Sequence, residues 1–256
     1  MDDVSVFSSQ KREQIRGELV AAARADSRIG SAAHLGSAAL GQLDRWSDID
    51  LALCLAPDAD SNQVILDWTT RLYRDYSAVT NYDLRRGEIL YRVFLLDDTL
   101  QVDLSFWPST ELRAIGPKFS LLFGSAGESI PATVPDSNDL IGTAWLYALH
   151  VRSSIARSRS LQAEHMLSGM RDNVLALICK RYGMASVQGR GFDDLPEQER
   201  ERGAACLACS LDPVELKRAF RLTVVALLQE VRYEDARLAM KLEHPLNKIL
   251  KSLDFD

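Results

Sequence analysis

Cysteine is scarce in this chain, long apolar runs are missing, and basic residues are outnumbered. Only Cys54, Cys179, Cys206 and Cys209 are present. Cys54 and Cys179 lie inside apolar runs and read as small core residues. Cys206 and Cys209 have C-x-x-C spacing, but no second pair and no nearby histidines complete a zinc site. No apolar stretch approaches the ~18 residues that span a bilayer. The first residues, Met1-Asp2-Asp3-Val4, are acidic and lack the apolar core of a secretory signal. A soluble, reduced, cytoplasmic protein is therefore expected, with no membrane partner. Thirty Lys and Arg face 36 Asp and Glu, for a formal net charge of -6. That balance argues against a long nucleic acid as partner, since such proteins present basic surfaces. It suits a small-molecule enzyme. Internal repeats and low-complexity segments are also missing.

What is present divides the chain in two. At 256 residues it can bury a core without staples. The first half alternates helical and strand periodicities. Ser9 to Ala25 reads as an amphipathic helix, Arg28 to Leu35 as a strand, and Ile49 to Leu55 as the next strand. Asn62 to Tyr76 reads as a helix and Val79 to Leu84 as a strand. Glu88 to Leu96 and Leu100 to Trp107 form a hairpin around Asp97-Asp98-Thr99. Residues 108 to 135, rich in Gly, Pro and Ser, read as a connection with short helical pieces. Helical periodicity then dominates: Asp139 to Ser158, Leu161 to Tyr182, Pro196 to Ser210, Pro213 to Tyr233, and a last helix from Pro245 to Leu253. The expected fold is α+β, an α/β domain with a mixed sheet over residues 1–115, followed by an all-helical domain over 138–256.

The α/β half carries an unusual pair of carboxylates. Asp48 and Asp50 are two residues apart beside an apolar run, so they share one face while Ile49, Leu51 and Leu53 turn to the core. Two ionised carboxylates about 4 Å apart repel by roughly 4 kcal/mol at an effective dielectric near 20. Keeping both calls for a cation or a retained proton. Ahead of them, across ten residues, stands Gly36-Ser37, where a bare glycine lets the backbone approach a phosphate closely. Behind them Asp103 alternates with Val102 and Leu104 on the polar face of a strand. The reaction that needs all three elements is phosphoryl transfer assisted by Mg²⁺, which takes a few carboxylates plus phosphate oxygens.

These residues resemble a known family. Leu35-Gly36-Ser37, Asp48-Ile49-Asp50-Leu51 and Val102-Asp103-Leu104 are similar to the motifs of the polymerase-β-like nucleotidyltransferases. The helical half resembles that of the bacterial antibiotic-modifying members, which act on aminoglycosides or lincosamides. The resemblance implies a nucleotidyltransferase domain and a helical substrate-binding domain. It implies two Mg²⁺ ions, ATP or another NTP as co-substrate, and AMP transfer to a hydroxyl of a small molecule with release of pyrophosphate. Asp48 and Asp50 would hold both metals, and Asp103 would be ligand and base. Gly36 and Ser37 would cradle phosphates, with Ser47 as a second hydroxyl. The pattern departs from small relatives that carry an arginine just after Gly-Ser: here stand Ala38, Ala39 and Leu40. Arg45 is a local candidate for that charge, or simply an exposed loop cation. Trp46 is placed to stack on a base, or to pack, and His34 to lie near the site or simply to end its strand. In the helical half Glu164 and Asp172 are candidates for holding an acceptor, against ordinary pairs on a solvated face. A protein-AMPylating enzyme and a catalytically silent nucleotide-binding module stay open beside the small-molecule enzyme.

Overall fold

A computed structural model describes residues 6–131 and 133–253, and the chain divides into two compact units at residues 132 and 133. In the first unit, helix α1 (Ser9–Ala25) starts where the Ser8 hydroxyl accepts the Lys11 amide, and its buried stripe is Arg12, Ile15, Leu19 and Ala23. Strand β1 (Ile29–Leu35) leads into the short turn of helix α2 (Gly36–Ala39). Strand β2 (Ile49–Leu55) follows, then helix α3 (Ser61–Asp75), capped by the Asp60 carboxylate. Strands β3 (Ala78–Arg86), β4 (Ile89–Leu96) and β5 (Gln101–Trp107) form a meander. Three short strands close the unit: β6 (Arg113–Ile115), β7 (Phe119–Phe123) and β8 (Gly127–Ile130).

Six of these strands make one mixed sheet in the order β3-β4-β5-β2-β1-β7, and β6 pairs with β8 apart from it. Within the large sheet β2 and β5 run parallel, and its other neighbours are antiparallel. One face carries the main core, where Ile49, Leu51 and Leu53 of β2 and Val102, Leu104 and Phe106 of β5 pack with Ile15, Leu19, Val64, Trp68 and Leu72 of α1 and α3. The opposite face has only a small cluster, Ala33, Ala52, Cys54, Ile89, Trp107 and Leu112. That leaves the rest of this face free to carry polar side chains.

The stretch after Trp107 differs from the expected connection with helical pieces. It contains β6, β7 and β8, and β7 forms the sheet edge beside β1, with Leu35 opposite Phe119 and Ala33 opposite Leu121. The run Phe119-Ser120-Leu121-Leu122-Phe123 is a short apolar segment without alternation, and periodicity does not separate such a strand from a helical piece. Gly124 ends it with a positive φ, where a Cβ would lie 2.3 Å from the Gly30 carbonyl oxygen.

The second unit is helical: α4 (Ser137–Ala156), α5 (Ser160–Arg181), α6 (Glu197–Ala205), α7 (Pro213–Glu234) and α8 (Ala236–Lys251). The mixed sheet followed by this bundle is the α+β fold expected above. Two helix ends are corrected. The last helix begins nine residues before Pro245, which sits inside it on the exposed side. Asp235 alone separates α7 from α8, and its carboxylate caps α8 by accepting from Arg237 and Leu238. A proline interior to a helix removes one hydrogen bond, and here solvent can reach the freed carbonyl. Helix α6 stops at Ala205, so the C-x-x-C segment lies beyond it. Arg218 takes the carbonyls of Ala205 and Leu207, and Glu215 takes the Cys209 amide. The core of this unit includes an ionic network in which Arg181 and Arg202 both bridge Glu199 and Glu230.

Candidate active site

Asp50 lies on β2 and Asp103 on β5, and the parallel register places them directly opposite each other. Asp48 stands one residue before β2. Because Ile49 and Leu51 are committed to the core, the carboxylates of Asp48 and Asp50 must point to the other face. One oxygen from each of Asp48, Asp50 and Asp103 lies within 4.8 Å of the others, and all three residues are half-buried. Burial pushes the Asp103 carboxyl up to about 6; the nearby Asp48 charge adds to the rise, and a hydrogen bond from Gln101 opposes it. Gln101 is two residues from Asp103 on the same face. Its amide donates to Asp103 Oδ1 at 2.9 Å and to Asp48 Oδ2 at 3.4 Å. Three crowded oxygen ligands, one of them inclined to keep its proton, are the donor set a hard divalent cation would relieve.

Gly36 closes one side of this cluster. Its φ is +61°, and a Cβ there would fall 2.1 Å from Asp50 Oδ2. Only glycine lets the main chain leaving β1 pass so near that carboxylate. Ser37 follows it in the first turn of α2.

Ser47 is engaged differently. Its hydroxyl donates to the Asp44 carboxylate at 2.9 Å and accepts the Asp44 amide at 2.9 Å, while the Trp46 amide also donates to that carboxylate. This self-capped turn of residues 44 to 47 delivers the chain to Asp48. Arg12 of α1, 3 % exposed, anchors the turn: its guanidinium donates to the Asp44 carbonyl and, at 3.2 Å, to the Ser47 carbonyl. Arg12 was not singled out from the sequence, although a signal was there: it is the charged member of an otherwise apolar stripe at i, i+3, i+7. Gln101 was likewise passed over, although it shares its face with Asp103.

The remaining candidates separate. Trp46 is 67 % exposed, with the Arg45 guanidinium 4.3 Å from its ring centroid. His34 sits opposite Leu51, on the face covered by α1, and is not among the carboxylates. Burial and the Arg16 charge hold its pKa below the usual histidine value, against Glu13 and a backbone contact with Asp50. Glu164 and Asp172 belong to α5 in the second unit. Glu164 accepts from Ser168, and Asp172 is paired with Arg171 at 2.9 Å. Both contacts are within the helix.

No family model matches the chain, and no curated protein matches its sequence. Among solved structures, the chain is similar to an aminoglycoside 6-adenyltransferase from Bacillus subtilis. The two are 14% identical, with a TM-score of 0.41, over 93% of this chain and 97% of that one.

Proposed function

We propose that the first unit is a Mg²⁺-dependent nucleotidyltransferase that moves AMP from ATP to a hydroxyl of a small molecule. The observation that carries this reading is the convergence of Asp48, Asp50 and Asp103, with the Gly36 main chain packed against Asp50. Asp48, Asp50 and Asp103 would hold Mg²⁺. When bound, the metal supplies charge neutralisation for the triphosphate and for the attacking oxygen.

The rest follows from the chain's own groups. The acceptor oxygen forms a bond to the α-phosphorus, the bond to pyrophosphate breaks, and the hydroxyl proton passes to the Asp103 carboxylate. Asp103 suits that role because its carboxylate stands with Asp48 and Asp50, where the acceptor hydroxyl would be held. Gly36 and Ser37 would present backbone N–H groups and a hydroxyl to the β- and γ-phosphates. Ser47 and Arg12 would serve indirectly, by fixing the turn that aims Asp48. The charge that an arginine after Gly-Ser would bring falls to Arg45 in this reading. In the second unit, Glu164 and Asp172 would be groups to test for hydrogen bonds to the acceptor's polar edge.

The test is a Mn²⁺ titration of the full chain, followed by an assay of pyrophosphate release from MgATP across a panel of hydroxyl acceptors. Wild type should bind Mn²⁺ and release pyrophosphate only with an acceptor present. Asp50→Asn should keep its melting temperature and lose activity by about two orders of magnitude or more. Wild-type metal binding in that variant would overturn the role of the triad. Tight ATP binding with no pyrophosphate release on any acceptor, total cell protein included, would instead favour a silent module.

A further inference from the structure

The sheet face that carries Asp103 continues past it, across β4 and β3, as an apolar shelf. Val93 of β4 lies directly opposite Asp103, and Tyr82 of β3 lies opposite Val93. One step along the strands, Tyr91 is opposite Ser105 and Leu84 is opposite Tyr91. Paired residues on neighbouring strands share a face, so these four side chains stand on the same side as the carboxylate. At about 4.8 Å between strands, the shelf reaches roughly 10 Å from Asp103. Its outer part is open: Tyr82 is 65 % exposed and Leu84 is 47 % exposed, while Val93 and Tyr91 are half-buried.

Its charge is as informative as its shape. The Arg86 guanidinium lies 5.7 Å from the Tyr91 ring centroid. Asp83 faces the other way, paired with Arg92 at 2.6 Å on the side covered by α3. Between Asp103 and the sheet edge the shelf thus offers a polycation no carboxylate, and it holds a cation of its own.

We infer that the acceptor is a hydroxyl compound with an uncharged, ring-bearing body that lies over Val93, Tyr82 and Leu84 with its hydroxyl at Asp103. This rests on the transfer reaction proposed above, and it selects an apolar or glycosidic acceptor over a polyamine. Rings of that kind bury their flat faces on aromatic and aliphatic side chains. The register alone starts the shelf at Val93, one strand spacing of about 4.8 Å from the proton-accepting carboxylate's strand.

The experiment titrates the full chain, loaded with Mn²⁺ and a non-hydrolysable ATP analogue, with para-nitrophenyl β-glucoside and separately with kanamycin. The glucoside should bind more tightly. Tyr82→Ser and Leu84→Ser should each weaken it by roughly tenfold, with nucleotide and Mn²⁺ affinity unchanged. Tighter binding of kanamycin, or equal glucoside affinity in wild type and both variants, overturns the inference. Sedimentation of the same samples tests another occupant: if the chain self-associates and Tyr82→Ser makes it monomeric, the shelf is a subunit interface and the inference fails. Because binding is read without turnover, failure of the shelf is distinct from failure of the metal site, which Asp50→Asn reports by itself.

Discussion

Gly36 shows how much a single residue can hold in place here. A methyl group at this position would meet Asp50 Oδ2, and the positive φ disfavours any side chain. Gly36→Ala should therefore lower stability by about 1–2 kcal/mol and weaken Mn²⁺ binding, because the Asp50 carboxylate has to move. Denaturant melts and the metal titration read the two effects separately. Asp26 offers a second test at this scale. Hydrogen bonds from Arg28, together with the Trp68 indole, hold its carboxyl down to about 2 despite partial burial, from an ordinary 3.8. Its folded pKa is lowered, so its stabilisation is present above the ordinary value and is lost as pH falls through about 4 to about 2. Asp26→Asn should remove up to about 2 kcal/mol near neutrality and flatten the acid side of the stability profile, measured by urea melts across that range.

At the scale of elements, the turn before β2 depends on α1. The Arg12 guanidinium is buried and donates to two carbonyls of that turn, so Arg12→Met leaves both acceptors without their partner. The expected cost is about 1–3 kcal/mol, with faster amide exchange over residues 44 to 50 while the hairpin of β3 and β4 keeps its protection. Unchanged exchange in that segment would show that the turn holds itself through Asp44 and Ser47. The elements also show how far periodicity reaches. The α1 and α3 patterns were plain because each buries one regular face, and β2 because it is a near-continuous apolar run buried on both faces. Strand β7 was hidden because a five-residue apolar edge strand has no alternation to display. From sequence, α8 is expected only from Pro245 on, because a proline signal is local and does not report that its side of the helix is exposed.

Across the molecule, each unit buries an apolar core, and the second adds an ionic network to its own. The first relies on an apolar core under its sheet, with Leu19, Ile49, Leu51, Leu72 and Leu104 all essentially inaccessible. The second also includes a network in which the half-buried Arg181 and Arg202 meet the buried Glu199 and Glu230, with Glu230 only 1 % exposed. Glu230→Ala takes one of two carboxylate partners from both Arg181 and Arg202, which keep Glu199, and should cost about 1–3 kcal/mol in thermal or denaturant unfolding. None of these four residues was marked in the sequence, because helices far apart in the chain bring them together and each alone resembles a surface charge.

That Asp48 and Asp50 turn from the core, and Asp103 likewise on its own strand, was legible in the chain itself. Gly36, Asp48, Asp50 and Asp103 are each placed by strand alternation and by a glycine where the chain must turn closely, which are properties of neighbouring residues. The α+β division was readable for the same reason, since a change of hydrophobic period is a local signal. Only the tertiary structure set β5 beside β2 in a register that joins Asp103 to Asp50, because strand pairing is a long-range choice that spacing does not encode. Only it revealed Arg12 under the turn, Gln101 between two carboxylates, and the apolar shelf running from Asp103 to the sheet edge, since each depends on residues that meet across the fold.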